Sequence, residues 1–161
     1  MRQDMRDKKI VLCTGSFDLV HAGHALFFEE CKRYGDILVV GVGRDREIKK
    51  YKGPTRPVLN EQIRMKMIDS LKAVDYVILT DEAPPDASWL YPIETIFRSL
   101  KPDVYVVNSD VKDADERKTL AEKYNVKMVL AERTCPPEFE KISTTGIIEK
   151  ILKEGNKSAT I

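Results

Sequence analysis

The sequence predicts an α/β fold: a single doubly wound, five-stranded parallel sheet with helices on both faces. Two observations carry this. Five short runs rich in Val, Ile and Leu recur along the chain, and helix-period segments separate them. Strands alternating with helices build right-handed βαβ units, hence a mostly parallel, Rossmann-like sheet. Its ligand belongs outside the C-terminal ends of the strands, where the strand order reverses.

The elements follow in order. Ile10, Val11, Leu12 and Cys13 form the first strand, closed by Thr14, Gly15 and Ser16. A helix is expected over residues 21–34, with Ala22, Ala25, Leu26, Phe28 and Cys31 as apolar positions. Gly35 is expected to stop it as a left-handed C-cap. Residues 37–42 are apolar throughout, the pattern of a strand covered on both faces. The basic stretch 49–58, with Gly53, Pro54 and Pro57, reads as a loop. Asn60 caps a helix to about residue 73, which carries Ile63, Met67, Ile68 and Leu71 on one face. Residues 76–79, 104–107 and 127–130 are the remaining strands, with helices over 93–100 and 115–124 between them. Ser143 caps a last helix ending near residue 152. One domain spans 1–161, with 1–8 and 155–161 as flexible ends.

Composition narrows the function. With 27 Lys and Arg against 26 Asp and Glu, the charge is nearly balanced, which disfavours a general nucleic-acid or membrane-surface role. Cys13, Cys31 and Cys135 fall in no zinc spacing or Cys-x-x-Cys pair, as expected for reduced thiols. The first nine residues are too polar for a signal peptide, and no apolar run reaches the roughly 20 residues of a membrane helix. A cytoplasmic protein is expected.

The chemistry concentrates after the first strand. His21 and His24, at i and i+3, share one helix face and converge on one target, while Gly23 keeps bulk off the approach. The N–H groups of Gly15, Ser16 and Phe17, with the positive end of that helix, make an anion-binding concavity. Far along the chain, Ser143 and Thr144 offer hydroxyls and N–H groups at another helix start. Between them lie Lys49, Lys50 and Lys52 on the basic stretch, followed by Glu61 and Arg64. Trp89 and Tyr91, in a Pro-rich stretch, read as packing under a loop.

These residues carry a resemblance. The segment Gly15-Ser16-Phe17-Asp18-Leu19-Val20-His21-Ala22-Gly23-His24 resembles the H-x-G-H signature of the cytidylyltransferase-like nucleotidyltransferases. Ile142-Ser143-Thr144-Thr145 resembles that family's triphosphate-binding I-S-S/T-T element. Lys52-Gly53, Arg56-Pro57-Val58 and the Glu61/Arg64 pair resemble the heptose 1-phosphate adenylyltransferases; Arg133-Thr134 resembles the glycerol-3-phosphate cytidylyltransferases. Asn108-Ser109-Asp110 stands where relatives carry a Gly-rich acidic turn near the base and sugar.

The resemblance implies transfer of a nucleotidyl group from a nucleoside triphosphate, ATP ahead of CTP, to a phosphorylated small molecule, with pyrophosphate released. His21, His24 and Lys52 are the catalytic candidates. Gly15, Ser16, Phe17, Asp110, Arg133, Ser143 and Thr144 would hold the nucleotide, with Lys141 standing in for Arg133. Lys49 is a second phosphate contact, and Arg64 binds phosphate or braces against Glu61. Mg²⁺ accompanies the triphosphate without a carboxylate cage, and a homodimer is implied. An FMN adenylyltransferase and a nucleotide-binding module without turnover are the alternatives.

Overall fold

The computed structural model describes residues 7–132 and 135–158, with side chains to residue 155. The chain forms β1 (Ile10–Gly15), α1 (Ala22–Lys32), β2 (Ile37–Val42), α2 (Asp45–Lys52), α3 (Glu61–Asp69) and β3 (Tyr76–Leu79). It continues through α4 (Tyr91–Leu100), β4 (Val104–Asn108), α5 (Ala114–Lys123), β5 (Lys127–Ala131) and α6 (Thr144–Ser158). The strands lie in the order β3-β2-β1-β4-β5, all parallel. The chain moves outward from β1 through β2 to β3, then crosses back to add β4 and β5 on the other side. The order therefore reverses between β1 and β4, and a crevice opens beyond Gly15 and Asn108.

Alternation along the strands divides the core in two. Ile10 and Leu12 face one layer with Ile96, Phe97, Tyr105 and Leu120; Val11 and Cys13 face the other with Phe28, Cys31, Val40 and Ile68. At the N-terminal edge of the sheet, aspartates in the turns before β2, β3 and β4 take backbone N–H groups of neighbouring segments. Asp36 accepts from Lys9 (2.7 Å), Asp75 from Leu38 (2.6 Å) and Asp103 from Ile10 (2.7 Å). They tie strand starts together at the end opposite the crevice.

Three local expectations are corrected. Gly35 is not left-handed, since Gly53 holds the one positive φ among the described glycines. Gly35 is needed because an added Cβ would lie 2.6 Å from the Lys9 carbonyl oxygen. The basic stretch begins as helix α2 rather than a loop; only Ile48 and Glu47 are buried on it, so its lysines hid a weak apolar face. The last helix passes Gly155 and runs to Ser158, so residues 155–158 are helical rather than a flexible end. One glycine costs a helix only about 1 kcal/mol. Residues 1–6 and 159–161 lie outside the described residues.

Candidate active site

The β1–α1 loop is held in a conformation it would not choose alone. Phe17 (φ 45°) and Leu19 (φ 48°) both sit in the left-handed region, which costs bulky residues roughly 1–3 kcal/mol each. Several contacts offset that cost. Gly15 lets the Phe17 ring fold back, since a Cβ there would lie 2.8 Å from the ring's Cζ. Between the two strained residues, Asp18 is only 1% exposed. Its carboxylate accepts from Val58 N (2.8 Å), Leu59 N (3.0 Å) and Arg56 Nε (3.0 Å). Its carbonyl accepts from the Thr144 hydroxyl (2.7 Å). One residue thus ties the loop to the segment before α3 and to the start of α6.

Burial pushes the Asp18 carboxyl up, but the Leu59 and Val58 N–H groups and the Arg56 guanidinium outweigh it and hold its pKa below the usual value. A depressed folded pKa stabilises the chain above the unfolded value of about 3.9, and the contribution is lost as pH falls through the folded value. Asp18→Asn should therefore lower the melting temperature at pH 7, and the gap from wild type should close below about pH 4. Melting curves from pH 3 to 7 would check this; a gap constant across that range would contradict it.

His21 caps α1 with extended backbone (φ −142°, ψ 172°), and its carbonyl takes the N–H of His24 (2.9 Å). The two imidazoles stack with centroids 3.9 Å apart and planes at 20°. The His24 ring also meets Phe17 edge-on at 5.5 Å. At Gly23 an added Cβ would lie 3.0 Å from His21 Cε1, so the glycine fixes where that ring can stand. The α6 N-terminus lines the same crevice. Ser143 Oγ accepts from Gly146 N (3.1 Å), a regular N-cap. Because the Thr144 hydroxyl donates to Asp18, what this residue offers an anion is its N–H at the helix start.

Lys52 ends α2 and donates to Ser16 Oγ at 2.8 Å, which joins a helix and a loop that the sequence keeps far apart. Burial and the nearby Arg56 lower its pKa, Asp18 opposes them, and Arg64 adds to the lowering. Gly15, Ser16, Phe17, His21, His24, Asp110, Lys141, Ser143 and Thr144 line the crevice with it. Two candidates do not. Lys49 faces a separate shallow depression beside Arg44, Asn60 and Glu61, because it lies on the outer side of α2. Arg64 is 0% exposed and acts wholly as a brace. It donates to Ser16 O, Gly43 O, Leu59 O and Asp45 Oδ1, not to Glu61. Arg133 lies outside the described residues.

The crevice holds residues that sequence reasoning missed. Thr14 Oγ1 meets the buried Tyr105 hydroxyl at 2.8 Å, and Arg117 Nη1 donates to that hydroxyl at 2.5 Å. Arg117 also grips Asp113 through Nε and Nη2, both at 3.0 Å, and lies over the Trp89 ring, 5.1 Å from its centroid. Trp89 therefore lines the site rather than packing under a loop. The only signal was the Asp113/Arg117 spacing, which alone means an ordinary helix-surface pair. The cavity measures about 1510 Å³, larger than the roughly 300–1,000 Å³ typical of a small-molecule site.

A family model described as cytidylyltransferase-like matches residues 12–150. The chain is 35% identical over 155 residues to the bifunctional protein HldE of Helicobacter pylori (strain P12), covering 96% of this chain and 30% of that protein. The HldE of Campylobacter jejuni (strain RM1221) is 40% identical over 146 residues, 90% of this chain and 28% of the relative. The chain thus spans about a third or less of these relatives. Among solved structures, the lipopolysaccharide core biosynthesis protein from Thermoplasma volcanium GSS1 superposes with a TM-score of 0.62 at 30% identity, over 79% of this chain and 97% of that one.

Proposed function

The chain belongs to the cytidylyltransferase-like family of nucleotidyltransferases, and on that premise we propose that it joins a nucleoside triphosphate to a sugar or polyol phosphate. ATP is the proposed donor ahead of CTP, because the His21-Ala22-Gly23-His24 and Lys52-Gly53 segments resemble the heptose 1-phosphate adenylyltransferases. The observation that carries the reading is the meeting of the His21/His24 stack, the α6 N-terminus and the Lys52–Ser16 pair in one crevice.

The reaction is an in-line displacement. An oxygen of the acceptor phosphate attacks the α-phosphorus, its bond to the bridging oxygen breaks, and pyrophosphate leaves. A phosphate monoester with its second pKa near 6 is already a nucleophile at neutral pH, so the site needs no strong base. Positioning and charge stabilisation then carry the rate. On this reading the two imidazoles hold the phosphate oxygens that gain charge. The N–H groups at the starts of α1 and α6, together with Lys52, hold the remaining triphosphate.

Mg²⁺ enters as part of the triphosphate substrate, ligated by phosphate oxygens and water. Among the described residues no group of three or more His, Cys, Asp or Glu could hold a metal ion, and Asp18 already accepts from three donors.

The reading includes a cytoplasmic site of action, where nucleoside triphosphates are made; no helix among the described residues is long and apolar enough to cross a membrane. It also includes a homodimer, for which Ile63 and Met67 supply exposed apolar surface one turn apart on α3.

Pyrophosphate release tests the proposal. With Mg²⁺ present, ATP, CTP, GTP and UTP are each combined with heptose 1-phosphate, glycerol 3-phosphate, phosphoethanolamine and FMN. Release with ATP and a sugar phosphate is expected. Release with FMN alone identifies an FAD synthetase, and nucleotide binding with silence across the grid overturns turnover.

A further inference from the structure

A chain of three hydrogen-bonding side chains, Arg117, Tyr105 and Thr14, ends at the wall of the crevice. It begins at Arg117. Asp113 takes Nε and Nη2, both at 3.0 Å, and the guanidinium lies over the Trp89 ring, so its orientation is fixed on two sides. The remaining nitrogen, Nη1, meets Tyr105 Oη at 2.5 Å. A guanidinium has five N–H donors and no acceptor, so the hydrogen in this contact belongs to Arg117.

Tyr105 is 0% exposed, and burial pushes its pKa up, outweighing the lowering by Arg117 and Thr14. It stays a neutral phenol with one proton to place. Among the described residues the partners of its hydroxyl are Arg117 and Thr14, whose Oγ1 lies at 2.8 Å. Distance leaves the donor open in that second contact, and burial decides it. If Thr14 donated, the phenol proton would be left in a dry site without an acceptor, which is costly. Thr14 is only partly buried and lines the crevice, so its own proton faces solvent at no such cost. Tyr105 therefore donates to Thr14, and Thr14 keeps its hydrogen for the crevice. Each donor in such a chain polarises the next, which makes the last one stronger than the hydroxyl of an isolated threonine.

The other side of Thr14 is pinned as well. In the β1–β2 register it lies beside Gly41, where an added Cβ would stand 3.0 Å from the Thr14 Cγ2. The methyl thus packs against β2 while Oγ1 turns to Tyr105 on β4, and Gly15 and Ser16 follow directly at the mouth of the crevice.

We infer that Thr14 is a substrate-binding residue whose hydroxyl donates to a phosphate oxygen, and that Tyr105 and Arg117 are positioning residues that aim it. The inference rests on the proposed transfer reaction for the presence of phosphate. It adds a donor beyond the histidine pair, Lys52 and the helix starts.

Calorimetric titration in Mg²⁺ tests this without turnover, with ATP, pyrophosphate, mannose 1-phosphate, glycerol 3-phosphate and adenosine as probes. Thr14→Val keeps the shape and the methyl and removes only the hydroxyl. It should weaken ATP and pyrophosphate about 10-fold if the oxygen belongs to the triphosphate, or the two sugar and polyol phosphates about 10-fold if it belongs to the acceptor. Adenosine, which has no phosphate, should stay within about 2-fold. Thr14→Ser retains the hydroxyl and should recover most of the loss. Tyr105→Phe should weaken the same probes about 3-fold or more in the parent protein and add nothing to Thr14→Val, because an absent hydroxyl cannot be aimed. Thermal melts establish folding, and Tyr105→Phe alone carries the test if Thr14→Val does not fold. Unchanged affinity for every probe overturns the inference. So does an equal loss for adenosine, or losses in the two variants that simply multiply, the mark of two separate structural effects. Pyrophosphate release is followed separately with the substrate grid. Its absence beside the expected binding changes counts against the transfer reaction and leaves the Thr14 site standing.

Discussion

Replacing His24 with alanine is expected to lower kcat by about 10²–10³-fold, the usual cost of removing one group that stabilises developing charge. The ring lies in the crevice, stacked on His21 and edge-on to Phe17, where the proposed triphosphate would meet it, and it holds little of the core. Helix α1 is anchored elsewhere, by buried Phe28 and Cys31, and alanine is the best helix former. The melting temperature should therefore move far less than the rate. His21→Ala should behave similarly, and the double variant should lose much less than the product of the two single effects, because groups acting as a unit are not additive. Steady-state pyrophosphate release beside thermal melts decides the matter. A well-folded His24→Ala protein with near-normal turnover would remove the imidazole pair from the mechanism.

The largest effect on stability is expected from Arg64→Met. All three guanidinium nitrogens of this fully buried residue donate, to three carbonyl oxygens and to the Asp45 carboxylate. Removing them leaves the carbonyls of Ser16, Gly43 and Leu59 without this donor and Asp45 without its cation. Asp45 is partly exposed, so water takes up some of its charge. Three carbonyls lose a donor at about 1–3 kcal/mol each where they stay dry, and together the loss comes to about 3–5 kcal/mol. For a domain of this size that lowers the melting temperature by on the order of 10 °C. Arg64→Lys should rescue little, since one ammonium cannot reproduce a planar fork that reaches four acceptors. Urea unfolding measures the difference directly, and an unchanged midpoint would mean the network contributes nothing net. Activity should fall as well, because Ser16, the partner of Lys52, hangs from the same guanidinium.

Much of this molecule is legible in its sequence, and the legible parts share a cause. The five strands and all helices but α2 announce themselves because burying a strand or a helix stripe requires apolar residues at a fixed period. The order of those elements implies a parallel sheet, since parallel strands need long crossovers. The H-x-G-H segment is legible because its residues lie on one loop and one helix turn, so sequence spacing is also spatial spacing. The same holds for Ser143 as the cap of α6.

What the tertiary structure alone decided is which charged residues face the crevice. Lys49 and Lys52 are three positions apart with the same chemistry, yet only Lys52 lines the cavity, because the side of α2 against the sheet is chosen by Ile48 and Glu47. Arg64 has the composition of a phosphate ligand, but the fold surrounds it with acceptors and makes it a brace. Asp18 joins segments 40 and 126 residues away in sequence. Arg117 on α5 meets Trp89 in the turn before α4, a pairing that no periodicity relates. Periodicity reports the hydrophobic burial that each segment achieves by itself; the partner of a buried charge is a property of the assembled chain.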